Sequence, residues 1–208
     1  VGTGYSSNSG VYVSSNNGSS WTQMNTGLTN INVTSLSASD GNLFAGTAGG
    51  GVFYSSNDGA NWSQVNTGLT NNYINAVAIN GANVYASSSE AGIFKSTNNG
   101  LNWFEFDNGI ISPKLNCLYS KENIIIAGNS SGAFNTTNAQ DAWTQFFSGT
   151  NPNLDVAKLA IKDNYIFAGT GNGSGEFYAS SNQGLNWNHI QTFYLPINNL
   201  VVSGNSVY

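Results

Sequence analysis

Few residues of this chain could do chemistry by themselves. Its 208 residues include ten carboxylates, five lysines, one histidine, one cysteine and no arginine. A glycoside hydrolase needs two carboxylates flanking the scissile bond. Glu90, Asp155 and Glu176 map to the loop-rich face and are the candidates for such a pair, although scattered loop acids are usually solvated surface charges. His189 follows Trp187 in a strand-like run. A serine hydrolase would need it beside a nucleophile, and no Gly-x-Ser-x-Gly elbow occurs. An exposed strand histidine is the plainer reading. Cys117 stands in the apolar pattern Leu115-Asn116-Cys117-Leu118, where a small buried thiol is expected rather than a reactive one. No Cys/His cluster has metal-ligand spacing, and neither a metal nor another cofactor is expected. Gly169-Thr170-Gly171-Asn172-Gly173-Ser174-Gly175 lacks the Gly-Lys-Ser/Thr ending of a phosphate loop and precedes a strand. Binding is therefore the main expectation and catalysis the minor one.

Composition narrows the partners. Charged residues make up 7% of the chain, against about 25% in an average globular domain. Asn, Ser, Thr and Gly must cover the surface. With a net charge of −5 and no arginine, nothing could neutralise a row of phosphates, which excludes nucleic acid as a partner. At 39% apolar and 12% aromatic, the chain carries enough for a folded core. No stretch approaches the ~20 apolar residues of a membrane helix, so the chain is not expected to span a membrane. No signal peptide is visible and the first residue is Val1, which reads as a mature or excised segment of something larger. The composition suits an exported bacterial protein, located outside the cell or on its surface.

The elements that must position these residues recur. Trp21, Trp62, Trp103, Trp143 and Trp187 are separated by 41, 41, 40 and 44 residues, and a polar turn precedes each one. Such a period marks a repeat architecture. At a constant offset of 41, Val33, Ile74, Leu115, Val156 and Ile197 align, as do Phe44, Tyr85, Ile126, Phe167 and Tyr208. Small residues follow the latter: Ala45-Gly46, Ala86-Ser87, Ala127-Gly128 and Ala168-Gly169. Each unit reads as four strands, A to D; in one of them these are Ile74–Asn80, Asn83–Ser88, Gly92–Ser96 and Asn102–Phe106. Four antiparallel strands per ~41 residues make a propeller blade, because so small a sheet buries both faces only between neighbours. The expected fold is an all-β, five-bladed β-propeller formed by residues 1–208 as one domain. Spliced end to start, Val207-Tyr208-Val1-Gly2-Thr3 matches Leu43-Phe44-Ala45-Gly46-Thr47, which predicts a closing blade split between the termini. The alternative is a piece of a propeller of six to eight blades.

The turn phrase resembles the Asp-box, or bacterial neuraminidase repeat, whose pattern is Ser/Thr-x-Asp-x-Gly-x-x-Trp. Here it stands as Ser14-Asn16-Gly18-Trp21, Ser55-Asn57-Gly59-Trp62, Ser96-Asn98-Gly100-Trp103 and Ser180-Asn182-Gly184-Trp187. The fourth copy, Thr136-Asn138-Gln140-Trp143, lacks the glycine, and Asn replaces the family's Asp in every copy. The resemblance covers the whole chain and implies a propeller with structural turns. It implies little about activity, since the family spans sialidases, xyloglucan-cleaving hydrolases, sorting receptors and photosystem assembly factors. Sialidases of this family clamp a substrate carboxylate with three arginines, and a chain without arginine is not expected to be one.

Uniform turns serve the fold, so a ligand site is expected on the variable D–A and B–C loops. Tyr5, Asn8, Asn72, Tyr73, Glu90, Asn153, Asp155, Asn172 and Tyr194 are the candidates there. Tyrosine faces and neutral amides suit a glycan or another surface protein. The expectation is a non-catalytic binding or scaffold module, as part of a larger chain or assembly; a hydrolase using loop carboxylates is the alternative.

Overall fold

The structure is a computed structural model and describes residues 1–4, 8–110, 112, 114–122, 124–137, 142–147, 155–171 and 173–208. Within these residues the regular elements are all β-strands. Two compact units divide the chain, Val1–Glu105 and Phe106–Tyr208.

The first unit opens with a three-stranded sheet of β1 (Gly2–Thr3), β2 (Gly10–Val13) and β3 (Thr22–Gln23). Two four-stranded sheets follow. One contains β4 (Val33–Ser39), β5 (Asn42–Thr47), β6 (Gly51–Ser55) and β7 (Ser63–Gln64). The other contains β8 (Ile74–Asn80), β9 (Asn83–Ser88), β10 (Ile93–Ser96) and β11 (Phe104–Glu105). The second unit holds the sheet of β12 (Leu115–Lys121), β13 (Ile124–Asn129), β14 (Gly132–Thr137) and β15 (Thr144–Phe147). Beside it lies the sheet of β16 (Val156–Lys162), β17 (Tyr165–Thr170), β18 (Gly175–Ser180) and β19 (Asn188–Phe193). A hairpin of β20 (Val202–Ser203) and β21 (Ser206–Val207) ends the chain. All pairings are antiparallel between chain neighbours, in the A, B, C, D order of the repeat. The N-terminal sheet supplies the end of a B strand with C and D, and the C-terminal hairpin supplies an A strand with the start of B.

Strand D is shorter than expected, Phe104–Glu105 instead of Asn102–Phe106. Asn102 N–H is drawn to Asn98 Oδ1 at 2.9 Å, and Trp103 N–H leaves the sheet for Thr67 O at 2.9 Å.

Alternate residues of a strand face opposite sides, and here both sides are covered. Phe44 and Val52 turn one way, into a cluster with Ile74, Val77, Phe94 and Trp103. Ala45 and Phe53 turn the other way, toward Val11, Leu28, Val33 and Trp62. The second unit repeats this with Ile126, Ala133 and Phe147 against Val156, Leu159 and Ala168. This double coverage gives β6 its nearly continuous burial.

The aligned small residues have a steric purpose. A Cβ on Gly46 would lie 2.7 Å from Ile74 Cγ2, one on Gly128 2.6 Å from Val156 Cγ1, and one on Gly169 2.7 Å from Ile197 Cγ2. These three sheets thus receive the branched side chain that opens the next repeat within their unit. Gly2 does the same for Val33, with Cγ1 2.6 Å away, which places Val1-Gly2-Thr3 in the role of Ala45-Gly46-Thr47.

The four glycine-bearing turns share one hydrogen-bond pattern. Gly59 N–H donates to Ser55 Oγ at 3.0 Å and Asn61 N–H to Asn57 Oδ1 at 3.0 Å. Gly18, Gly100 and Gly184 bond to Ser14, Ser96 and Ser180 in the same way, and Asn16, Asn98 and Asn182 accept from Ser20, Asn102 and Asn186. The glycines have positive φ, from 81° to 88°, and so do the residues before them: Asn17, Asp58, Asn99 and Gln183, from 54° to 57°. Asn138 and Gln140 of the fourth copy lie outside the described residues.

The tryptophans are anchored to the preceding sheet, not to their own. Trp62 Nε1–H donates to Met24 O at 2.9 Å, Trp103 to Val65 O at 2.7 Å and Trp143 to Phe106 O at 2.5 Å. All three are buried. The other two differ from this common environment. Trp187 packs on Phe147, with ring centroids 4.4 Å apart, but its buried Nε1 has no partner among the described residues. A bulge between Ala133 and Phe134 in the pairing of β14 with β15 shifts the strand it rests on. Trp21 is 49% exposed.

A second phrase, Asn25-Thr26-Gly27-Leu28, recurs as Asn66-Thr67-Gly68-Leu69 and Asp107-Asn108-Gly109-Ile110 and was not singled out in the sequence. Its first residue mends the sheet: Asn25 and Asn66 Oδ1 each accept from Val11 and Val52 N–H at 2.8 Å. Its glycine admits the next tryptophan, since a Cβ on Gly27 or Gly68 would lie 2.2 Å from Trp62 O or Trp103 O.

Candidate functional site

The variable loops do come together within each unit. In the first, the D–A loop before β8 hydrogen-bonds the B–C loop between β5 and β6. Asn72 O accepts from Gly49 N–H at 3.1 Å and Gly51 N–H at 2.8 Å, and Tyr73 forms an isolated bridge with Ala48. Tyr73 O also accepts from Ser89 N–H at 2.9 Å, tying in the loop that carries Glu90. The Tyr73 ring lies over Gly49, where a Cβ would sit 3.4 Å from its Cζ, yet the side chain is 59% exposed. Asn71 Oδ1 fixes the backbone here by accepting from Tyr73 N–H at 2.7 Å. The result is a displayed tyrosine on a constrained loop, with the exposed residues Asn72 and Glu90 on the loops bonded to it. Asn8 is also exposed, and its carbonyl accepts from Tyr12 Oη–H at 2.5 Å.

In the second unit, Asp155 O accepts from Gly171 N–H at 2.9 Å, and Leu195 O accepts from Gly175 N–H at 3.1 Å. Asp155 Oδ1 accepts from Asn116 Nδ2 at 2.6 Å, so this candidate acid is partly occupied in joining β12 to the start of β16. Tyr194 is fully exposed. Beside it, Phe177, Phe193, Leu195, Ile197, Leu200 and Tyr208 line an apolar cleft of about 380 Å³. Tyr5, Asn153 and Asn172 lie outside the described residues.

Glu176 opens the strand C run Glu176-Phe177-Tyr178, as its alignment with the other repeats implied. It lies within β18, and its carboxylate meets the histidine that the sequence left alone. His189 Nε2 is 2.5 Å from Glu176 Oε2, and Thr192 Oγ1 lies 3.0 Å from the same oxygen and 3.2 Å from the same nitrogen. A hydroxyl–histidine–acid relay needs its hydroxyl and its acid on opposite ring nitrogens. Here both sit on Nε2, so the cluster is not a relay. Burial pushes the Tyr178 phenol upward, and the nearby Glu176 carboxylate adds to the rise. The missed signal was local: β18 and β19 share one hairpin, and a bulge between Phe177 and Tyr178 brings Thr192 opposite Glu176.

Cys117 is buried, as its strand pattern implied, and burial pushes its thiol up to about 12. Among the described residues, no group of three His, Cys, Asp or Glu side chains could hold a metal ion, and no helix is long and apolar enough to cross a membrane.

The comparisons concern the fold. A family model described as the DUF6242 beta propeller domain matches residues 2–208. Among curated proteins, none matches the sequence. An ancestral GH74 enzyme superposes with a TM-score of 0.69 at 22% identity, over 87% of this chain and 28% of its own. YCF48 bound to D1 peptide gives 0.66 at 14%, over 93% of this chain and 64% of its own. The extracellular domain of BT4673 from B. thetaiotaomicron, described as a one component system, gives 0.68 at 18%, over 83% and 25%. The chain spans less than two thirds of each of these structures, and at such identities the likeness is one of fold alone.

Proposed function

The chain belongs to the family of the DUF6242 beta propeller domain, and from that premise we propose a non-catalytic binding or scaffold module acting outside the cell or on its surface. Its ligand is a glycan or another surface protein, held by the D–A and B–C loops. The observation that carries this reading is Tyr73, 59% exposed although its backbone is held by Asn71, Ala48 and Ser89. A large apolar face fixed in place at little entropic cost is a good contact residue. Tyr194 offers a second such face in the other unit. The Ser-x-Asn-x-Gly-x-x-Trp turns are, in this reading, Asp-box turns in which Asn keeps the acceptor and drops the charge. Two propellers similar in fold lend support: one is described with a peptide bound and another as an extracellular domain.

The reading is tested by screening the purified chain on a glycan array and against cell-surface protein extracts, then repeating with Tyr73→Ala and Tyr194→Ala. Binding should weaken in at least one variant and change little between low and physiological salt, because stacking and neutral hydrogen bonds are barely screened. Hydrolysis of a polysaccharide that Glu90→Gln or Asp155→Asn abolishes would instead establish the hydrolase reading.

A further inference from the structure

Trp62, Trp103 and Trp143 each use a seat built by the preceding repeat, and the seat has three parts. A carbonyl three residues past the preceding tryptophan takes the indole N–H: Met24, Val65 or Phe106. A second carbonyl, of Thr26, Thr67 or Asn108, takes the tryptophan's backbone N–H at 2.7 to 2.9 Å. A glycine with φ between 84° and 98°, Gly27, Gly68 or Gly109, leaves room for the tryptophan's own carbonyl.

Trp21 has the same turn, held by the same serine and asparagine bonds. It nevertheless stands 49% exposed, and its indole N–H has no partner among the described residues. Val1, hydrogen-bonded to Tyr12 and so on the side of this sheet that Val11 does not occupy, is 60% exposed. We propose that Trp21 and this sheet face are an interface for one further repeat of the same kind. That repeat's last strand runs into Asn/Asp-x-Gly and supplies the two carbonyls and the glycine.

The argument is continuity with an interface made three times already, and it selects the occupant. In a second copy of this chain, the seats after β3, β7 and β11 are filled by Trp62, Trp103 and Trp143. Two strands remain: β15, which Trp187 already covers by packing on Phe146 and Phe147, and β19, which runs into Thr192-Phe193-Tyr194. Phe193 stands six residues past Trp187, where Gly27, Gly68 and Gly109 stand six past their own tryptophans. A Cβ at those glycines would fall 2.2 or 2.3 Å from the incoming backbone carbonyl, so a phenylalanine cannot form the seat.

The test appends a second copy of residues 45–85 ahead of Val1 in the full chain. This keeps the phase, because Tyr85 then precedes Val1-Gly2 as it precedes Ala86-Ser87. Trp21 emission is read as the difference from the matching Trp21→Phe protein, together with acrylamide quenching. A blue shift and loss of quenching relative to the unextended chain are expected. Both should vanish when the appended copy carries Gly68→Phe and still folds by circular dichroism. Unchanged emission in a folded extended chain, or an equal shift with the phenylalanine, overturns the proposal. So does a concentration-dependent blue shift of the unextended chain with dimers in sedimentation, which would assign the face to a second copy. An extension copied from residues 4–44 has the same phase and the Gly27 seat, and it decides the matter if the first extension fails to fold.

Discussion

Gly18 and Gly184 occupy the same place in the same turn, with φ of 85° and 88°. Either one replaced by alanine must hold a left-handed conformation, at a cost of about 1–2 kcal/mol. Their surroundings separate them. A Cβ at Gly18 meets only Trp21 Cζ2 at 3.9 Å, whereas at Gly184 it would fall 1.9 Å from Phe146 Cδ2. Gly184→Ala should therefore lose about 1–3 kcal/mol more than Gly18→Ala, the usual cost of overpacking, in paired denaturant titrations. Cys117 sets a different dependence. Its thiol ionises at 9.0 when unperturbed and only near 12 in the fold. Between those values the unfolded chain releases a proton that the folded chain keeps, so stability falls as pH rises. Tyr85, moved by burial from 10.0 to about 12, acts in the same direction. Unfolding midpoints should stay level up to about pH 9 and drop from there toward pH 12, and iodoacetamide should label Cys117 at pH 8 only after unfolding.

At the scale of elements, each tryptophan turn joins two sheets, and the bond can be weighed. Trp103→Phe removes the 2.7 Å bond to Val65 O in a buried site, which should cost about 1–3 kcal/mol for the stranded carbonyl. Trp21→Phe in the chain as it stands should cost less than about 0.5 kcal/mol, as at other half-exposed positions. Equal losses in thermal melts would contradict the seat geometry. Much of this level could be read from spacing. The tryptophans, the branched residues from Val33 to Ile197 and the small residues beside Ala45 and Ala168 all announce a repeat. The Asn25-Thr26-Gly27-Leu28 phrase was legible as a period too, but its purpose was not. It belongs to no strand, and its glycine serves the neighbouring repeat's backbone. The same holds at the candidate site. The exposure of Tyr73 and Tyr194 follows from loop position, while the meeting of His189 with Glu176 depends on a bulge that spacing does not encode.

For the molecule as a whole, the family model runs through both compact units. Repeat stacks draw much of their stability from contacts between neighbouring repeats, so the chain is expected to unfold as one cooperative domain. Calorimetry should show a single transition with matching calorimetric and van't Hoff enthalpies. Two separated transitions would mean that residues 1–105 and 106–208 fold on their own. The low charge bears on function at this scale as well. With 7% charged residues, long-range steering is weak, so binding at the proposed loops would rest on contact.

The serine bond at the turn glycine also bears on how the molecule ages. Asn17-Gly18 and Asn99-Gly100 are the kind of dipeptide in which the glycine nitrogen attacks the asparagine carboxamide, expels ammonia and forms a succinimide. In the fold that nitrogen donates its hydrogen to Ser14 Oγ at 2.8 Å or to Ser96 Oγ at 2.9 Å, and the asparagine before it takes a left-handed φ of 54° or 55°. Deamidation is thereby restricted to molecules whose turn has opened. Each event leaves a carboxylate after hydrolysis, so peptide mapping of aged protein should show aspartate and isoaspartate at Asn17 and Asn99 that grow with time spent near the melting point and are scarce in cold, folded stock. The two turns then act as clocks, counting the hours the chain has spent open.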